Sequence, residues 1–420
     1  MRPETVRHIE HPVDLLFPSG TGAAATEFLP KVEVTKTNKT KAQNKPLPID
    51  TFLVDPAQRT RHSVKDRPAE TNGWPELNSR WREERKPSRT TRTHSTMNQH
   101  SSVIWTNVRL AEPELELLQA ETKDHQLIVA DAGPNVLAEN SGDPQLASAT
   151  IVFGQPSAED VLRSKNLRWL HVSSAGYTRY DRKDLFDHLS ANKIAFTNSS
   201  SVFSEPCAEH ALAVLLAQSR QLYPSHLDQL QHDWKTNERR AASSLLSEKT
   251  ILIVGFGSIG QRLAEFLKPF GSTVFGFRRR PRPTPGVTVL GLEELEATLP
   301  AADHVMNFLP ENSETIRFFN KAKFSHFKPG ACYYSLGRGT TTDQEALIDA
   351  LKSEQVRAAY LDVTDPEPLP PDHPLWAAPN CYITPHSSGG HYNESLRLTK
   401  HFLANLRRFE NGEPLIDRIV

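Results

Sequence analysis

From about residue 103 onward, short apolar runs recur along the chain and are separated by polar or helically patterned stretches. VIWTN (Val103–Asn107), QLIVAD, TIVFG, RWLHVSS and KIAFTN form one series. Apolar runs of this length joined by crossover segments predict parallel strands with helices between them. A second series follows: TILIVGFG, STVFGF, VTVL, DHVMNFLP, ACYYSLG, VRAAYLDV and CYITP. Between the two series, SEPCAEHALAVLLAQSRQL predicts a long helix, with Ser204 as N-cap and Pro206 in the first turn. Further helices are expected from Ser258 to about Leu267, near Leu292, from Gln344 to Lys352, and from about Tyr392 to Glu410, the last packing back on the first series. The pattern therefore reads as two α/β domains. Residues 97–200 form the first, completed by a C-terminal helix within 390–420, and residues 201–389 form the second.

Residues 1–96 carry no such periodicity. Pro, Thr, Lys, Arg and Asn dominate, in runs such as KVEVTKTNKTKAQNK and REERKPSRTTRTHST. A segment of this kind buries too little apolar surface to offset chain entropy, so a disordered extension is expected. A second methionine, Met97, just before the first strand, leaves an upstream misassigned start as the alternative.

Composition narrows the classes. The 420 residues are 37% hydrophobic, enough for ordinary cores, and 49 Lys plus Arg nearly balance 50 Asp plus Glu. No global field favours nucleic acid or an acidic membrane surface, so an anionic ligand has to be held locally. The cysteines, Cys207, Cys332 and Cys381, are 3 in number and far apart. That argues against a disulfide framework and for a reducing, cytoplasmic setting. No zinc-like spacing occurs, so no metal is expected. No apolar run has the length of a spanning helix.

ILIVGFGSIGQRLAEFL places Gly255, Gly257 and Gly260 directly after a strand and at the mouth of a helix, the context a GxGxxG dinucleotide fingerprint requires. The first glycine makes the turn, the second admits the pyrophosphate, the third lets helix and strand pack, and the helix N-terminus offers amides to phosphate. An acid commonly ends the next strand, where it accepts the ribose hydroxyls of NAD. Here TVFGF runs into Arg278, Arg279 and Arg280. Guanidinium groups suit a 2′-phosphate, so NADP is the expected cofactor. A solvated basic turn with NAD bound is the alternative.

Three further segments end successive strands: SLGRGTT, LDVTDPEPLP and TPHSSGG. Reducing a keto acid needs a cation for the substrate's carboxylate and carbonyl, an acid for the new alkoxide, and a carboxylate to partner that acid. Arg338, His386 and Glu367 match these needs in turn. Glu209 and His210 in AEHAL are expected to be structural, Trp169 and Trp376 to be packing residues, and Asp365, before Pro366, to cap a turn.

With these motifs in order, the chain from about Ile151 resembles the D-isomer-specific 2-hydroxyacid dehydrogenases. The resemblance rests on the glycine fingerprint, the RG segment followed by DQEALIDAL, LDV…EPLP…PLW, and TPH. In flavour it is similar to NADPH-dependent glyoxylate/hydroxypyruvate reductases. It implies two Rossmann-like domains: a flavodoxin-like substrate domain and a doubly wound dinucleotide-binding domain, in a homodimer. It further implies that Arg338 contacts the substrate, that His386 is the general acid/base, and that Glu367 orients it. Asp362 would hold the nicotinamide carboxamide. The amides of Ala175 and Gly176 would meet the substrate carboxylate. Ser258, Ile259, Leu309, Pro310 and Leu336 would line the cofactor site. Formate dehydrogenases of the same superfamily carry Gln at the partner position, so Glu367 points to hydroxy acid chemistry. The sequence departs from the family where SLG precedes the arginine and where Ser387 and Ser388 follow the histidine, which leaves the substrate's identity open. A nucleotide-sensing scaffold of the corepressor type, built on the same fold, is the alternative from another class.

Overall fold

A computed structural model describes residues 101–131 and 142–420. The expected extension, residues 1–96, and Met97 lie outside the described residues. The apolar runs form two separate sheets. The first contains β1 (Val103–Thr106), β2 (Gln126–Val129), β3 (Ile151–Gly154), β4 (Trp169–Val172) and β5 (Ala195–Thr197), in the order β2-β1-β3-β4-β5. That is the flavodoxin-like order. The second contains β6 (Thr250–Val254), β7 (Thr273–Phe277), β8 (Thr288–Leu290), β9 (His304–Asn307), β10 (Ala331–Ser335), β11 (Val356–Leu361) and β12 (Cys381–Ile383). Its order is β12-β11-β10-β9-β6-β7-β8. The chain switches direction between β6 and β9, and in open sheets that point opens a crevice at the strands' C-terminal ends.

Every strand pairing in both sheets is parallel, so crossover helices must cover both faces. In the first domain these include α1 (Glu112–Glu121), α2 (Ala158–Arg163) and α3 (Lys183–Ala191). Next come α4 (Ser200–Ser219), α5 (Leu222–Leu230), α6 (Thr236–Ala242), α7 (Ser258–Leu267), α8 (Leu292–Thr298), α9 (Lys321–Ser325), α10 (Gln344–Lys352) and α11 (Glu394–Glu410).

Strand β6 shows how the pattern fixes the layers. Leu252 and Val254 enter one core with Leu295 of α8 and Leu347 of α10, while Ile251 and Ile253 enter the opposite core with Ala211 of α4 and Leu263 of α7. Each such side chain contributes roughly 1.5–3 kcal/mol by burial. A one-residue slip would exchange all four between faces and is strongly disfavoured. Helix α11 returns to the first sheet, where Phe402 stacks on Phe153 with ring centroids 4.4 Å apart and on Trp169 at 5.3 Å. The chain's last residues then pair with β5, Ile419 N–H donating to Phe196 O at 2.8 Å.

Two local expectations need correction. Helix α4 begins at Ser200, not at Ser204, and Pro206 lies inside it. Its first turn is held by a distant residue: the Ser201 amide donates to Asp417 Oδ2 at 2.8 Å, and Ser204 Oγ instead bonds back to Ser201 O. Trp169 is fully buried as expected, but Trp376 is half-exposed, its Nε1 donating to Pro370 O at 2.8 Å and so closing a surface turn.

Candidate active site

The glycine loop leaves β6 and enters α7. Gly255 has φ +93, a region that favours glycine, and a Cβ there would lie 2.6 Å from the carbonyl carbon of Phe308. Gly257 stands at the N-cap of α7, where no side chain caps the helix, and a Cβ on it would meet nothing within 4 Å. The first amides of α7 thus face open space, the arrangement that accepts a phosphate. The residues present therefore fit a dinucleotide.

One cavity gathers most of the expected cofactor residues. Gly255, Gly257, Ser258 and Ile259 form one wall, and Leu309, Pro310, Leu336 and Arg338 another. Ala175 and Gly176, from the loop after β4, close it from the other domain. Arg278 and Arg279 follow β7. Arg279 Nη1 lies 2.8 Å from Glu314 Oε2, both groups being exposed.

Arg338 follows β10. Its Nη1 donates to Gly337 O at 2.7 Å, and Thr341 Oγ1 donates to its carbonyl at 2.6 Å. The Nη2 end of the guanidinium lies against Gly176: a Cβ on that residue would overlap Nη2 and sit 2.8 Å from Cζ. The loop itself is braced. Asn198 Nδ2 donates to Ala175 O at 2.6 Å and Ser174 Oγ to Gly176 O at 2.5 Å. Below it, Gln155 Nε2 reaches Ser174 Oγ at 2.9 Å. Among the described residues the amides of Ala175 and Gly176 have no hydrogen-bond acceptor, so both are available to an anion.

The ends of β11 and β12 build the third part. His386 adopts φ +50, unusual for a side-chain-bearing residue. The consequence is a curl that turns the next two amides back onto Asp362: Ser387 N–H donates to Oδ1 at 2.9 Å and Ser388 N–H to Oδ2 at 3.0 Å. Thr384 Oγ1 adds a third bond at 2.6 Å, and the His386 amide donates to the Asp362 carbonyl at 2.8 Å. Burial pushes the Asp362 carboxyl up, but the bonds from Ser388, Thr384 and Ser387 outweigh it and hold the group below the usual carboxylate range. Asp362 therefore anchors the His386 loop, a role the sequence reading missed. It also lines a cavity with Leu336 and His210. Glu209, the neighbour of His210, is exposed.

Anchored in this way, His386 Nδ1 lies 2.7 Å from Glu367 Oε2. Thr364 N–H donates to the other oxygen, Oε1, at 3.0 Å. Burial raises the Glu367 carboxyl; the His386 and Thr364 hydrogen bonds, with the charges of His386 and Arg338, more than offset this and hold it below its ordinary range. The charge of Arg338 thus reaches Glu367, so guanidinium, imidazole and carboxylate share one neighbourhood.

Comparison with known proteins relates the chain to a family. The profile described as "D-isomer specific 2-hydroxyacid dehydrogenase, NAD binding domain" matches residues 212–388. A glyoxylate reductase/hydroxypyruvate reductase of Mus musculus is 33% identical over 250 residues, covering 58% of this chain and 75% of that protein. A glyoxylate/hydroxypyruvate reductase B of Escherichia fergusonii is 33% identical over 285 residues, covering 65% and 85% respectively. Among solved structures, a D-isomer specific 2-hydroxyacid dehydrogenase from Xanthobacter autotrophicus Py2, in complex with NADPH and MES, superposes with a TM-score of 0.65 at 27% identity. That match covers 76% of this chain and 98% of the other.

Proposed function

The chain belongs to the D-isomer-specific 2-hydroxyacid dehydrogenases, an NAD(P)-dependent oxidoreductase family, and from that premise we propose that it reduces glyoxylate, hydroxypyruvate or a similarly small 2-keto acid, with D-stereospecificity and a preference for NADPH. The observation that carries the reading is the His386–Glu367 pair at 2.7 Å, held within the field of Arg338.

Each group has a task in this reading. Arg338 and the amides of Ala175 and Gly176 bind the substrate carboxylate, and the guanidinium also polarises the keto oxygen. His386, through Nε2, gives a proton to the developing alkoxide, because Nδ1 is engaged by Glu367 and the ring orientation is thereby fixed. Glu367 stabilises the protonated ring before transfer. When bound, the nicotinamide supplies the hydride. Gly255 and Gly257, with the amides of Ser258 and Ile259, hold the pyrophosphate, and Gly260, where a Cβ would lie 2.9 Å from Ile253 Cγ2, lets α7 pack against β6. Leu309, Pro310 and Leu336 line the site, and Asp362 adds a carboxamide contact to its anchoring role. Residues 97–200 with 390–420 serve the substrate, and residues 201–389 serve the cofactor.

NADPH preference is supported by Arg278 and Arg279 just after β7, in the place where an acid would accept the ribose hydroxyls of NAD. A homodimer is supported by the apolar side chains exposed on α5 and on the segment after it: Leu222, Leu227, Leu230, Leu245, and Trp234 at 92% exposure. Three free thiols suit a reducing, cytoplasmic setting. Among the described residues no helix is long and apolar enough to cross a membrane.

The test is NADPH and NADH oxidation with glyoxylate, hydroxypyruvate and pyruvate. Turnover with the first two, faster with NADPH, is expected. Absence of turnover with all three would overturn the substrate assignment.

A further inference from the structure

Three consecutive arginines end β7, and among the described residues a single carboxylate pairs with them: Glu314 holds Arg279 at 2.8 Å, while Arg278 and Arg280 make no ion pair. Glu314 is placed there by a braced turn. Asn312 Oδ1 accepts the Glu314 amide at 3.0 Å. Thr315 Oγ1 accepts the Asn312 amide at 2.9 Å and donates to Pro310 O at 2.6 Å. Pro310 and Asn312 line the cofactor cavity, so the carboxylate is carried just beyond the cavity wall, opposite the β7 end. The nearest other acid on this turn, Glu311, is engaged elsewhere, accepting from Thr340 Oγ1 at 2.7 Å.

We propose that Glu314 is a specificity-determining residue: its carboxylate competes with the cofactor's 2′-phosphate for Arg279 and so limits the preference for NADPH over NADH. The inference rests on the NADPH reading above. A phosphate arriving at Arg279 has to displace an existing partner and then sit beside its negative charge. A cofactor with a free 2′-hydroxyl meets neither cost. The arrangement restrains a basic cluster that would otherwise bind phosphorylated nucleotides more tightly, and it leaves the second cofactor usable.

Binding of 2′,5′-ADP and of 5′-AMP to the full chain, read by calorimetry, separates the possibilities, with NADPH and NADH Michaelis constants as a second readout. Glu314→Gln is expected to tighten 2′,5′-ADP about three- to tenfold, the scale of removing one exposed ion pair and one repulsion. It is expected to shift 5′-AMP by less than about twofold. Arg279→Ser is expected to weaken 2′,5′-ADP, and adding Glu314→Gln to it to tighten 2′,5′-ADP by less than it does in the parent, since only the repulsion is then left to remove. If Arg279→Ser leaves 2′,5′-ADP unaffected, the phosphate reading itself fails. If Arg279→Ser weakens binding but Glu314→Gln does not tighten it, the competition fails alone. Weaker 5′-AMP binding in Glu314→Gln would make Glu314 a ribose hydroxyl acceptor and overturn the proposal.

Discussion

Gly176→Ala isolates the placement of Arg338. The backbone at Gly176 is not in the left-handed region and tolerates a Cβ conformationally, but that Cβ would overlap Arg338 Nη2 and lie 2.8 Å from Cζ. Ordinary contact is about 3.5 Å or more, so the guanidinium has to retreat by roughly 1–2 Å. The obstacle is the end of a flexible side chain, so the fold yields locally. Substituting alanine for glycine also restricts the unfolded chain, which is worth about 0.4–1 kcal/mol to the native state. Stability is thus expected to be unchanged or slightly higher. Catalysis responds in the opposite direction. A charge-assisted hydrogen bond contributes about 1.5–3 kcal/mol, so misplacing the guanidinium lowers kcat/KM for the keto acid by about 10- to 100-fold. Steady-state kinetics together with a thermal melt measures both. A variant with parental kcat/KM would show that the position of Arg338 against Gly176 does not matter for substrate, and a variant that melts early would show that the clash is borne by the backbone.

Gly257→Ala gives the converse result. Its Cβ meets no protein atom within 4 Å, so folding is unaffected while NADPH binding, measured by fluorescence titration, weakens at least about tenfold if the pyrophosphate occupies that space. His386→Ala is expected to lower kcat, read by steady-state turnover, by about 10² or more, the usual scale of positioned proton transfer, and an unchanged rate would remove the acid/base role. Asp362→Asn replaces an acceptor oxygen with a donor facing the amides of Ser387 and Ser388. It is expected to cost about 1–3 kcal/mol and most of kcat, read by urea unfolding and turnover. Acid sensitivity comes from buried imidazoles: burial lowers His304 to about 3 and His171 well below its ordinary 6.5. The unfolded chain therefore protonates first, and stability present above pH 6.5 is lost as pH falls, by up to about 1.4 kcal/mol per pH unit for each histidine. Equal urea midpoints at pH 7 and pH 5 would contradict this, and His304→Phe is expected to flatten the slope.

Much of the fold was legible because its signals are local. Runs such as TILIVG and ACYYS are apolar on both faces, and in a parallel sheet buried on both sides the run and the strand coincide. Helix α10 begins at the residue expected because its cap is adjacent, Asp343 accepting from the Ala346 amide. Helix α4 was misread for the opposite reason. Its first turn is secured by Asp417, more than two hundred positions away, while the nearby Ser204 and Pro206 imitate a start. Strand order was legible only through the family resemblance, since nothing in β6 itself states that β9, and not β8, lies beside it.

The candidate site divides along the same line. Arg338, Glu367 and His386 could be named from chemistry because a cation, a carboxylate and an imidazole at three strand ends are what carbonyl reduction needs. What holds them could not. The supports are backbone conformations and steric absences: a left-handed His386 that aims two amides at Asp362, and a missing Cβ at Gly176 that leaves room for the end of a guanidinium. Neither has a sequence signature of its own, since a histidine is not marked for φ +50 and one glycine among 20 is not marked for contact with a distant arginine. The residues proposed to react are thus specified by type, and their geometry by neighbours whose part is to bind and position. Substitutions at those neighbours, Gly176 above all, consequently test the site more sharply than deletion of the reactive groups themselves, because they move a reactive group without removing any of its atoms.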